Sequence, residues 1–197
     1  SKSRGLGDVY KRQDRDSMIY ADGSGAIILE SDNSYNGGIL SHKSATFTYD
    51  GENDFIFYGA SYDIKKRTKS DQKFIKMQGR KVYEFALKNV PLAMKSCFDE
   101  ADCKIEDLKK IFIHQANQKM DEAIINRFFK LYKLSAPKDI LPMNIEEFGN
   151  SSVATIPTLF DLVKKTNYKG HKLSEGDIIM FASVGAGMNI NAITYKV

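Results

Sequence analysis

Ile111-Phe112-Ile113-His114-Gln115-Ala116-Asn117 is the stretch on which the fold turns. A short apolar run follows the pair Lys109-Lys110 and breaks into a polar turn. Met120, Ala123, Ile124, Arg127, Phe128 and Leu131 then recur at three-four spacing, so the unit reads as strand, His-containing turn, helix. Upstream, Val82, Phe85, Ala86, Val90, Ala93, Met94, Cys97, Phe98 and Ala101 mark a long amphipathic helix, which Pro91 is expected to kink or divide. Downstream, Ser135-Ala136-Pro137 ends the helical region and Ile140 to Met143 suggests a brief strand. Phe148-Gly149-Asn150-Ser151-Ser152 opens as a loop into a helix over Val153 to Lys165, with Ser151 or Ser152 as its N-cap. Asp177 to Val184 and Met188 to Val197 flank Gly185-Ala186-Gly187 and suit an antiparallel pair. Strands alternating with helices, closed by a hairpin, predict a layered α/β fold.

Nearer the amino terminus, Gly25-Ala26-Ile27-Ile28-Leu29 lies between Asp22-Gly23 and Asp32-Asn33, which predicts a buried strand over Ser24 to Glu30. Ile39 to Thr48 supplies another strand, and polar, aperiodic Tyr49 to Gln72 reads as a surface excursion. Asp8-Val9-Tyr10-Lys11-Arg12-Gln13 looks like the translation of a transposon end used in preparing sequencing libraries. Residues 1 to 13 are therefore read as a non-native leader, with a disordered native tail as the alternative, and the reading frame is expected to continue upstream.

The composition sets wide bounds. With 197 residues, 42% of them hydrophobic, the chain can bury one sizeable core. Of the formal charge of +4, Lys2, Arg4, Lys11 and Arg12 against Asp8 hold +3, so the body is nearly neutral and nothing calls for nucleic acid or a membrane surface. No run approaches the roughly 18 apolar residues of a membrane span, and a cytoplasmic protein is expected. Cys97 and Cys103 lie six apart in one helical segment, which argues for two reduced structural thiols.

Three elements carry chemistry. His114 ends a strand where α/β sheets bind ligands, although a lone histidine there is more often structural. Gly149-Asn150 offers an amide donor in a loop that enters a helix, or an ordinary turn. The small residues of Gly185-Ala186-Gly187 let backbone amides approach a developing oxyanion, or make a plain hairpin.

Together with Asp22-Gly23-Ser24-Gly25-Ala26, Met77-Gln78-Gly79-Arg80 and Pro157, these elements in this order resemble the carboxy-terminal half of the type III β-ketoacyl-acyl-carrier-protein synthases of the thiolase superfamily, over residues 14 to 197. One histidine followed by Asn150 fits the Cys-His-Asn branch rather than the two-histidine elongating synthases, and no cysteine follows residue 103 as in degradative thiolases. Plant-type polyketide synthases are the alternative within that branch. The resemblance implies the second half of a five-layer αβαβα fold and a decarboxylative condensation of an acyl-CoA primer with malonyl carrier protein. It assigns His114 and Asn150 as catalytic hydrogen-bond donors and the Ala186 amide to an oxyanion hole. Gly79 and Asn117 would meet the phosphopantetheine arm, and Lys119 and Arg127 the acidic carrier or the CoA phosphates, a solvated basic face being the bland alternative. No metal or cofactor is implied, a homodimer is, and the chain length of the primer stays open. The family's cysteine nucleophile has no counterpart at its expected place. Cys97 sits on the apolar stripe of the long helix and does not replace it. A non-catalytic carrier-binding protein of the same fold is therefore a second reading.

Overall fold

β-branched and aromatic runs set between turn residues become the strands. The computed structural model describes residues 16, 19 to 32, 34 to 49, 51 to 62 and 73 to 197; the expected leader over 1 to 13 lies outside them. In chain order the elements are β1 (Gly38–Thr46), β2 (Ile56–Gly59), β3 (Phe74–Met77), α1 (Gly79–Glu100), β4 (Leu108–Ile113), α2 (Gln118–Lys130), α3 (Ile145–Phe148), α4 (Thr155–Thr166), β5 (Ile178–Gly185) and β6 (Asn189–Lys196). Four strands form one sheet in the order β1-β6-β5-β4. β6 runs antiparallel to both β1 and β5, while β4 and β5 are parallel, with Ile111 opposite Met180 and Ile113 opposite Ala182. β2 and β3 make a separate antiparallel pair.

Side-chain alternation along the strands builds a core on each face. On one face, Ile111, Ile113, Met180, Ala182, Ile190 and Ala192 meet α1 and α2, whose Phe98 and Phe128 rings pack edge to face at 6.4 Å. On the other, Phe112, Ile179 and Phe181 meet Leu159, Phe160 and Val163 of α4. Helices thus cover both faces of the sheet, the α/β layering expected from the sequence.

Several expectations change in detail. α1 runs unbroken through Pro91. The buried stripe of α2 includes Asp121, Ile125 and Phe129 beside Met120, Ile124 and Phe128, while Leu131 is exposed. α4 starts at Thr155 after a 3₁₀ turn over Ser152–Ala154, with no side-chain cap at either serine. Ile140 gives one carbonyl to the Ile111 amide, 2.8 Å, without continuing as a strand. The excursion after Tyr49 contains a 3₁₀ turn at Glu52–Phe55 and then β2, and its residues 63 to 72 are not described.

The largest correction concerns Ser24 to Glu30. These residues form no strand, and Ile27, Ile28 and Leu29 are 69%, 92% and 78% exposed. The segment is tethered where the Ala21 amide donates to Asn150 O at 2.7 Å. Added Cβ atoms at Gly23 and Gly25 would lie 2.8 Å from Ser151 and 2.5 Å from Pro157, so the chain presses on the start of α4. Past that point no described strand offers it a ladder, and a strand-like sequence without a partner stays open.

Candidate active site

The parallel pair β4–β5 positions His114. Its amide donates to Ala182 O at 2.9 Å, extending the ladder one residue past β4, so the ring stands at the carboxyl edge of the sheet. The next residue, Gln115, is fully buried: Nε2 donates to Pro142 O at 3.0 Å and Oε1 accepts from the Asn144 amide at 2.9 Å. This fixes the turn against the segment leading to α3. Asn117 then caps α2, its Oδ1 accepting from the Met120 amide at 3.2 Å.

Asn150 reaches the same place from the other side. Gly149 holds φ 64°, ψ −164°, and a Cβ there would stand 3.0 Å from the Ala21 Cβ, so the turn into Asn150 needs glycine. Asn150 is buried, bridged to Tyr20 along the backbone. Its Oδ1 accepts from the Ser152 amide at 3.0 Å. The Ser152 carbonyl in turn faces His114 Nδ1 at 3.2 Å. One residue, held at φ 54° in a region that serine seldom enters, therefore contacts both His114 and Asn150.

These contacts set polarity. Because the Ser152 oxygen can only accept, Nδ1 carries the ring proton and donates, leaving Nε2 of the neutral ring with its lone pair. With Oδ1 engaged by Ser152, the donors of Asn150 are on its Nδ2. Burial pushes the His114 pKa below the usual imidazole value, opposed in part by the bond to Ser152, so the ring is neutral at pH 7.

The other predicted residues lie at varied removes. Gly185 ends β5 three residues beyond Ala182, roughly 10 Å along the strand at about 3.3 Å per residue, so Ala186 lies on the same sheet edge as His114. Its turn has Gly187 at φ 73° and is pinned by the Phe47 amide on Met188 O, 3.3 Å. Gly79 opens α1 and is exposed, with open space around its would-be Cβ. Gln78 before it donates its amide to Phe55 O at 2.8 Å, and the turn carrying Phe55 packs on the 186 to 188 turn. Lys119 is exposed in the first turn of α2, and Arg127 is partly committed, its Nη1 donating to Leu87 O at 3.0 Å. Neither cysteine joins this edge. Cys97 is fully buried in α1 against Ser41 and Thr194, and Cys103, whose pKa burial raises, lies near Lys196 at the far end of β6 from the glycine turn. Both are free thiols. Among the described residues no three His, Cys, Asp or Glu side chains gather as a metal site, and no helix is long and apolar enough to cross a membrane.

Comparison with known proteins decides the family. Residues 98 to 197 match the model of the 3-oxoacyl-(acyl-carrier-protein) synthase III C-terminal family. The chain belongs to that family. Relatives of this chain include the beta-ketoacyl-(acyl-carrier-protein) synthase III of Porphyra umbilicalis, 32% identical over 195 residues, matched across 93% of this chain and 54% of its own length. The protein of that name from Prochlorococcus marinus strain NATL2A is 29% identical over 186 residues, across 90% of this chain and 51% of its own. The chain spans about half the length of the curated relatives it matches. Among solved structures, 3-oxoacyl-(acyl-carrier-protein) synthase III from Aquifex aeolicus VF5 superposes with a TM-score of 0.64 at 22% identity, over 85% of this chain and 47% of that one. The Thermus thermophilus synthase III gives 0.65 at 21% identity, over 85% and 48%. The thiolase-like fold expected from the motifs is therefore shared.

Two participants escaped sequence reasoning. Ser152 reads from sequence as a cap or as the end of the motif Gly149-Asn150-Ser151-Ser152, since nothing in a serine announces a left-handed backbone. Tyr20, which holds the Asn150 backbone, lies 130 residues away from it with no motif of its own. Gln115 did carry a signal: a polar side chain directly after the apolar run Ile111 to Ile113 is one the fold must bury with partners.

Proposed function

We propose that this chain supplies the His-Asn part of a synthase III site that condenses an acyl-CoA primer with malonyl carrier protein, in fatty-acid or related lipid or polyketide synthesis in the cytoplasm, within a homodimer. The reading rests above all on the approach of His114 and Asn150 to one residue, Ser152, from loops 36 residues apart in sequence. In the acyl-transfer half, a cysteine thiolate attacks the thioester carbonyl of the acyl-CoA, and the CoA thiolate leaves. The amide of Ala186 faces the charge on that carbonyl oxygen. In the condensation half, the malonyl thioester releases carbon dioxide, and the electron pair of the broken bond forms an enolate. The enolate carbon attacks the acyl thioester and expels the cysteine sulfur.

The enolate oxygen is where this chain acts. Asn150 Nδ2 donates to it. His114, neutral with Nε2 as an acceptor, becomes a donor from that atom once it takes a proton from solvent, and negative charge forming beside a half-buried ring is what raises its proton affinity. Gly79 and Asn117 line the path of the phosphopantetheine arm, with Lys119 and the outer side of Arg127 turned to the acidic carrier or the CoA phosphates. Because neither Cys97 nor Cys103 adjoins the site, the nucleophile comes from sequence outside these 197 residues. That same observation favours a second reading, a carrier-binding protein of this fold without catalysis.

Recovering the complete reading frame and incubating its product with acyl-CoA separates the two. The enzyme gains the mass of one acyl group on a cysteine outside residues 1 to 197. A complete frame whose product stays unmodified supports the binding protein.

A further inference from the structure

Pro91 stands in the interior of α1, twelve residues past Gly79, in a helix that runs on to Glu100. Proline has no amide hydrogen, so the carbonyl four residues earlier, Leu87 O, loses its intrahelical donor. Leu87 is buried, packed in the core between α1 and α2, where an unpaired carbonyl is costly. The guanidinium of Arg127, on α2, fills the vacancy: Nη1 donates to Leu87 O at 3.0 Å.

We infer that Arg127 is an interhelix clasp, a positioning residue that replaces the hydrogen bond Pro91 removes and ties α2 to α1 at that point. A charged donor suits the task, since such bonds are the stronger ones and the long arm of Arg127, itself exposed on α2, brings its planar head to the carbonyl. This inference stands on backbone geometry and does not depend on the reading of the site above. It assigns Arg127 work inside the fold that a purely external contact for an acidic partner would not need.

A double-mutant cycle on the 197-residue chain tests it. Arg127→Met keeps most of the stem and removes the donor; Pro91→Ala gives Leu87 O its own helical donor. Measured by urea unfolding, Arg127→Met is expected to lower the folding equilibrium constant about tenfold or more with Pro91 present, and about twofold or less in the Pro91→Ala background. With Pro91 present it should also shift the ring resonances of Phe98 and Phe128, where α1 packs on α2, and leave them largely in place in the Pro91→Ala chain. Equal costs in the two backgrounds, or no cost with Pro91 present, would overturn the clasp and leave Arg127 a surface cation with no part in the fold.

Discussion

Asp121 is fully buried in α2, both carboxylate oxygens lack a partner among the described residues, and burial pushes its pKa up to about 8. The adjacent Glu122 adds to the shift. The sign follows from linkage. The folded state keeps a proton that the unfolded chain releases near pH 4, so this group's contribution to stability is complete below about pH 4 and is lost as pH rises to about 8. The slope is about 1.4 kcal/mol per pH unit. Asp121→Asn should flatten that slope and raise stability at pH 7 by up to about 4 kcal/mol; urea titrations from pH 5 to 8 read both quantities. An unchanged slope would place the titrating group elsewhere. Ser152 carries a different prediction. Ser152→Gly accepts φ 54° and should leave the site intact, whereas Ser152→Val strains it by roughly 1 to 3 kcal/mol and should move the His114 ring and Asn150 amide resonances. Equal spectra for the two variants would remove Ser152 from the site's framework.

At the scale of elements, the sequence was most legible where one periodicity met one partner. Ile111 to Ile113 followed by a polar turn and a helical stripe allowed only a strand feeding a helix, and β4 and α2 are there. Position on the edge was legible too, because His114 follows the last strand residue. Ser24 to Glu30 reads equally well as a strand, yet β-propensity describes a fit to a half-buried surface and cannot say whether a neighbour is present. The rotation of the α2 stripe onto Asp121 was illegible for a related reason: a carboxyl counts as polar in any pattern, and only packing reveals that it lies inward. Convergence of His114, Asn150 and Ser152 depends on the glycine-shaped turn at Gly149, on the left-handed backbone of Ser152 and on a contact across 38 residues, from His114 to Ser152, which local pattern does not encode.

Considered whole, the molecule leaves apolar surface open near its site. Ile27, Ile28 and Leu29 are joined in exposure by Val153, 91%, and Phe148. Large apolar side chains left open in this number are a mark of surface that other protein covers. The 197-residue chain alone should therefore bind a hydrophobic dye and associate as its concentration rises. Ile27→Ser with Ile28→Ser should reduce both effects without lowering the unfolding midpoint, as seen by sedimentation and urea titration; dye binding unaltered by the pair would acquit this segment. The chain alone should also show no condensation, having no thiol at its site. The central claim, that His114 works on the enolate, is tested most directly in the complete reading frame. Labelled carbon dioxide from malonyl carrier protein is followed beside acyl-enzyme formation by mass spectrometry, for the wild type and for His114→Ala. The account predicts that His114→Ala slows decarboxylation about a hundredfold to a thousandfold while acylation of cysteine is less affected. Unchanged decarboxylation, or equal and complete loss of both steps, would contradict it.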